Sequence, residues 1–167
     1  MKFKTLAAVS VAVIALTLIG CSGSPAEKPV TDAKRASWID GACSQDIPGV
    51  TLSVDFKGDV TTHCAISYAG NGWDLFGAAG FEVRGTNKYP TAFACQINQQ
   101  PEAAKCDDSD TSGAYWGYYL PTNDVWGYAT TGASDHESVC GSWEGWVYME
   151  TESTELKLPT PTEFSCE

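Results

Sequence analysis

The chain has little of what active sites are commonly built from. It carries two histidines, His63 and His136, and it contains no GxSxG, HExxH or SxxK motif and no glycine-rich phosphate loop. No pair of cysteines has CxxC or CxxH spacing, which leaves zinc and thioredoxin-like chemistry without a signature. Basic residues are scarce: 10 Lys and Arg stand against 21 Asp and Glu, a formal net charge of −11. Such a surface repels nucleic acid and anionic lipid headgroups, so neither is expected as a partner. Asp107, Asp108 and Asp110 form an acidic loop, but the spacing, glycine and terminal glutamate of an EF-hand are missing. Asp135-His136-Glu137 are consecutive, and three neighbouring side chains converge poorly on one ion, so a solvated turn is expected. A catalytic role is therefore not predicted, and no cofactor is.

A long apolar run is missing too. Leu6–Ile19 is uncharged but spans 14 residues, short of the roughly 20 that cross a hydrocarbon core. Preceded by Lys2 and Lys4, it has the shape of an export signal. It ends Leu18-Ile19-Gly20-Cys21, with a small residue at the cleavage point and a thiol directly after it. That arrangement resembles a lipobox. The expectation is a leader over residues 1–20, lipid on Cys21, and a protein moored to the outer face of a cell membrane by its acyl chains. Loss of Lys2 and Lys4 with the leader takes the formal charge from −11 to −13. Residues 21–37 are small, polar and proline-bearing, and read as the lipidated cysteine plus a flexible tether reaching at most about 50 Å.

Residues 38–167 are expected to form one domain. Val50–Phe56 alternates apolar and polar residues and predicts a half-buried strand, with Val60–Ala65 as its hairpin partner. Trp73, Phe76 and Ala79 stand at helical spacing within Gly72–Phe81, and Gly80 can end a helix there. Phe81–Thr86, Thr91–Ile97, Ala114–Leu120, Val125–Thr130 and Trp143–Glu150 read as further strands. The fold class is thus α+β, mostly antiparallel sheet with one short helix. After Cys21 six cysteines remain, an even number that in an exported chain reads as three disulfides. Fifteen connectivities are open; local spacing favours Cys43–Cys64, Cys95–Cys106 and Cys140–Cys166.

Aromatic residues crowd the second half. Strand alternation puts Trp116, Tyr118 and Leu120 on one face of their strand, and Tyr115 and Tyr119 on the other. Trp126 and Tyr128 share a face, as do Trp146 and Tyr148. At least half of these rings are expected in the core. One small sheet with one helix has too little cover for all of them, so some should line a groove. Trp116, Tyr118, Trp126, Tyr128, Trp143 and Trp146 are the candidate ligand-stacking set.

Several blocks carry a resemblance. They are Gly49–Phe56, Ala78–Thr86, Ala92–Asn98, Ala114–Tyr119, Tyr128–Ala133 and Trp143–Trp146, in that order along the chain. Together they resemble bacterial secreted proteins similar to the C-terminal domain of transcobalamin, over about residues 43–150. Cys140 and Cys166 are additional to that pattern. The resemblance implies a β-grasp-like sheet around one helix, and a corrinoid or other vitamin as ligand. It also implies, for some relatives, companionship with vitamin transport systems.

Two functions follow as expectations. One is a surface-tethered, non-catalytic module that binds a small ligand through aromatic stacking. The alternative is an accessory lipoprotein whose aromatic face is covered by a transporter component or another cell-surface protein. A hydrolase working through two carboxylates ranks below both, because no pair of acids can be placed across a cleft from spacing alone.

Overall fold

The computed structural model describes residues 38–107, 112–151 and 154–166. The leader, the lipid site Cys21 and the tether expected over residues 1–37 lie outside the described residues, as do Asp108 and Asp110. No helix among the described residues is long and apolar enough to cross a membrane.

In chain order the strands are β1 (Trp38–Asp40), β2 (Gly49–Phe56), β3 (Asp59–Ile66) and β4 (Gly70–Asn71), followed by a single helical turn α1 (Leu75–Ala78). Then come β5 (Val83–Gly85), β6 (Ala94–Ile97), β7 (Tyr115–Thr122) and β8 (Val125–Tyr128). A 3-10 turn (Ala133–Asp135), β9 (Glu137–Ser138) and β10 (Trp143–Met149) complete the set. Six strands form the main sheet in the order β1-β3-β2-β10-β7-β8. Its centre is parallel, with Trp146 of β10 opposite Val54 of β2, and every other neighbouring pair is antiparallel. The outcome is a mixed, strand-rich domain with one lone short helix and three disulfides.

Turn chemistry sets two of the hairpins. Lys57 and Gly58 take φ of 58° and 90°, the two positive values that a two-residue turn between twisted strands requires, and Phe56 pairs with Asp59 across it. Asp55 Oδ1 accepts from the Gly58 N–H at 2.7 Å and closes the turn. Asn123 and Asp124, at φ 51° and 60°, do the same between β7 and β8.

The helix is shorter than Gly72–Phe81. Three glycines at 72, 77 and 80 each weaken a helix by about 1 kcal/mol relative to alanine, and a ten-residue segment has no surplus to absorb that. Gly80 does end it, at φ 78°, and the indole of Trp38 lies where a Gly80 side chain would be. The strands expected at Phe81–Thr86 and Thr91–Ile97 are also shorter. They form a separate β5–β6 ribbon, not part of the main sheet, with a register shift at Arg84/Gly85.

Both faces of the sheet are covered. On the helix side Val50, Leu52, Val54, Trp116, Tyr118 and Trp146 pack against Leu75, Phe76 and Ala79. On the other side Tyr119, Val147 and Met149 meet Leu158, with Trp126 and Leu156 at the margin. Leu156 and Leu158 belong to the C-terminal segment, residues 154–166, which crosses that face without pairing as a strand. This overturns the half-buried reading of β2. Its polar face, Thr51, Ser53 and Asp55, is also buried. The segment is held by the Lys157 N–H on Asp55 Oδ2 at 3.0 Å, and by two indole N–H groups on its carbonyls. Trp126 Nε1 donates to Pro159 at 2.7 Å and Trp143 Nε1 to Thr162 at 3.0 Å. The bridges Cys43–Cys64, Cys95–Cys106 and Cys140–Cys166 are the three that spacing favours, and the last pins the end of this segment beside β10.

Candidate functional site

The six aromatic residues expected to share a groove do not gather in one place. Trp116, Tyr118 and Trp146 are buried in the helix-side core. Trp143 is buried beneath the C-terminal segment, and half-buried Trp126 approaches it with ring centroids 6.4 Å apart. Both spend their N–H groups holding that segment. Only Tyr128 stands well exposed. The physical reason is that β7 and β10 are central strands covered on both faces, so alternation there sorts rings between two interiors and not between core and solvent. Trp116 Nε1 and Trp146 Nε1 have no acceptor, although a buried indole N–H is usually satisfied.

Exposed rings nevertheless converge elsewhere. A cleft of about 490 Å³ lies between β6 with the loops on either side of it and the start of β7. That volume falls within the usual range of small-molecule sites. Tyr89 (44 % exposed), Phe93 (59 %), Tyr115 (42 %) and Tyr128 (59 %) all line it, and Trp116 and half-buried Tyr148 contribute as well. Trp38 is the only other strongly exposed ring among the described residues, and it is occupied, stacked on His63 at 4.2 Å.

Local structure explains why the rings stand out. Tyr89 and Phe93 pair edge-to-face at 5.2 Å within a tight loop, where the Phe93 N–H bonds the Tyr89 carbonyl at 3.2 Å. The Thr86 carbonyl-side turn is closed by the Tyr89 N–H on Thr86 Oγ1 at 3.1 Å. The Cys95–Cys106 bridge ties this loop down, and the Asn87 N–H on the Cys106 carbonyl, at 2.7 Å, adds a second tie. On the sheet side, Tyr128 sits on the edge strand β8 with its ring 5.4 Å from Tyr119. Burial raises the Tyr128 hydroxyl above its ordinary value, with Tyr115 adding to the effect, so it is a neutral hydroxyl at physiological pH. Among the described residues the charged side chains of the lining are Lys105 and Asp107. Tyr115 and Tyr128 were legible as aromatic strand residues. Tyr89 carries no periodic signal, and Phe93 is expected in the strand Thr91–Ile97, whereas β6 begins at Ala94 and leaves Phe93 in the loop before it.

A second cluster surrounds Glu144, which is fully buried on β10. Its Oε2 accepts from the Tyr118 hydroxyl at 2.6 Å, its Oε1 accepts from the Ser138 hydroxyl, and His136 Nε2 stands 3.7 Å from Oε1. Burial raises the Glu144 carboxyl above its usual range, while the two hydrogen bonds and the histidine oppose that shift. A side chain at Gly72 would collide with Glu144 and Tyr118, so no room for a substrate exists between them. The cluster binds β9 and the 3-10 turn to the sheet. Asp135 and Glu137 point to solvent, as expected of a turn, while His136 turns inward to Glu144. His63 is a packing residue: its Nδ1 lies 2.7 Å from the Ala79 carbonyl and its ring stacks between Trp38 and Phe81.

Comparison with known protein families, with curated proteins and with solved structures gives no match for this chain.

Proposed function

We propose that the protein is an extracytoplasmic lipoprotein, moored through Cys21, whose disulfide-stapled domain binds a small ligand without transforming it. The observation that carries this reading is the gathering of four exposed aromatic rings at one cleft. Rings left in water at one place are unfavourable for a free domain and become favourable when a ligand covers them. A vitamin or corrinoid is the ligand class suggested by the sequence resemblance. The β-grasp reading is part of the same proposal. It is supported by the order of the five strands after β1, namely second, first, fifth, third and fourth, with the first and last parallel and the helix between the second and third. Three disulfides support an oxidising compartment. A binder is preferred over an enzyme because the cleft lining is aromatic, with Lys105 and Asp107 its only charged side chains among the described residues.

Tryptophan fluorescence tests the reading, since Trp116 lines the cleft. Titration with corrinoids, flavins and glycans should show saturable quenching by one class, lost in the Tyr115→Ala/Tyr128→Ala double variant. Flat titrations with all three would remove the proposal's support.

The accessory-protein reading keeps one specific observation. The outer edge of β8 pairs with nothing among the described residues, and Val125, 68 % exposed, stands on it beside Tyr128. Free edges of this kind accept a partner's strand. Co-purification of a transporter component that depends on Val125, with no small-molecule binding, would favour it.

A further inference from the structure

The charge of the molecule and the use its rings are already put to narrow the ligand class. This step rests on reading the aromatic cleft as a ligand site. Ammonium groups already sit over two of the cleft's rings: Lys88 Nζ lies 5.2 Å from the centroid of Tyr89, and Lys57 Nζ lies 5.6 Å from that of Tyr148. The negative face of an aromatic ring attracts a cation at such distances, and several rings around one space make an aromatic cage. Tyr89, Phe93, Tyr115 and Tyr128 supply four exposed rings that line one cleft.

The field of the whole chain has the matching sign. A formal net charge of −11 concentrates cations at the surface and disfavours an anionic ligand before it arrives. Asp107 adds a carboxylate to the cleft wall, and among the described residues Lys105 is the one positive side chain that lines it. The tyrosine hydroxyls add polar groups to the lining.

We infer that the cleft takes an organic cation: an ammonium-type headgroup, methylated or part of a flat ring, set against the faces of Tyr89, Phe93, Tyr115 and Tyr128. Methylated ammonium is the better match because it is weakly hydrated and surrenders little solvation on entering an aromatic site. Lys105 opposes the ligand from the wall. The proposal therefore predicts a gain of affinity on its removal, a sign opposite to that for an anion.

Calorimetry on the disulfide-intact protein, with choline and its uncharged carbon isostere neohexanol as paired probes, tests this. Choline should bind at least about tenfold tighter than neohexanol, and its affinity should fall as salt rises. Lys105→Gln should tighten choline by about twofold or more, and Tyr115→Ala/Tyr128→Ala should weaken it about tenfold or more. Equal binding of the two probes, or weaker choline binding in Lys105→Gln, overturns the inference. If neither probe binds while a corrinoid or flavin quenches Trp116, the cation is wrong and the cleft stands. If nothing in either panel binds, the cation and the cleft fall together.

Discussion

At the scale of single residues the most consequential group is Glu144. It is fully buried on a central strand, on the same face as Trp146, where charge is normally excluded, and its carboxyl survives there by accepting from Tyr118 and Ser138. Because burial raises its folded-state value above the ordinary 4.5, the fold favours the protonated form. The stabilisation linked to that proton is complete below the unfolded value and is lost as pH rises through the folded one. Glu144→Gln removes the titration. Urea unfolding between pH 4.5 and 7 should show a smaller decline with rising pH in the variant than in the parent. Glu144→Ala, which strands two buried hydroxyls, should cost on the order of 1–3 kcal/mol for each. The same cluster pushes the Tyr68 hydroxyl up to about 12, through burial first and then the nearby Asp74 and Glu144. None of this was legible beforehand. Glu144 shares the register of Trp146, and alternation places it on a face without saying whether that face meets water.

Among elements, alternation located the long strands well, and cysteine spacing anticipated which thiols meet. Short pieces were invisible for a plain reason. β1, β4 and β9 have two or three residues each, too few for a period, and exist because neighbours offer them backbone partners. Most misleading was the C-terminal segment. It carries Pro159 and Pro161 and no strand pattern, yet it acts as cover for the second face of the sheet. That is why a two-sided interior replaced the expected exposed aromatic face, and why Tyr118, Trp143 and Trp146 are buried away from the cleft that Trp116 and Tyr128 line. Cys140→Ser/Cys166→Ser should loosen this cover. For a separation of 26 residues the loss expected from chain entropy is about 3.5 kcal/mol, readable as a lowered urea midpoint. In that variant, peptide N–H exchange at Lys157, which donates to Asp55, should accelerate more than exchange within the β2–β3 hairpin.

For the molecule as a whole, anchoring and cleft geometry are separable. A clickable fatty-acid label should mark the wild-type protein and not Cys21→Ser, with the variant recovered from the medium, folded and still able to bind. Labelling of Cys21→Ser, or none in the wild type, would contradict lipid mooring. The parallel pairing of β2 with β10 has its own consequence in time. Val54 and Trp146 are neighbours across the sheet but stand far apart along the chain. A chain threaded outward from its N-terminus can close the β2–β3 hairpin early, yet it cannot fill the middle of its sheet until β10 emerges. Contacts of that reach make folding slow. Under the export proposed above, that slowness would keep the chain pliable through a narrow translocation channel and let it become rigid only on the far side.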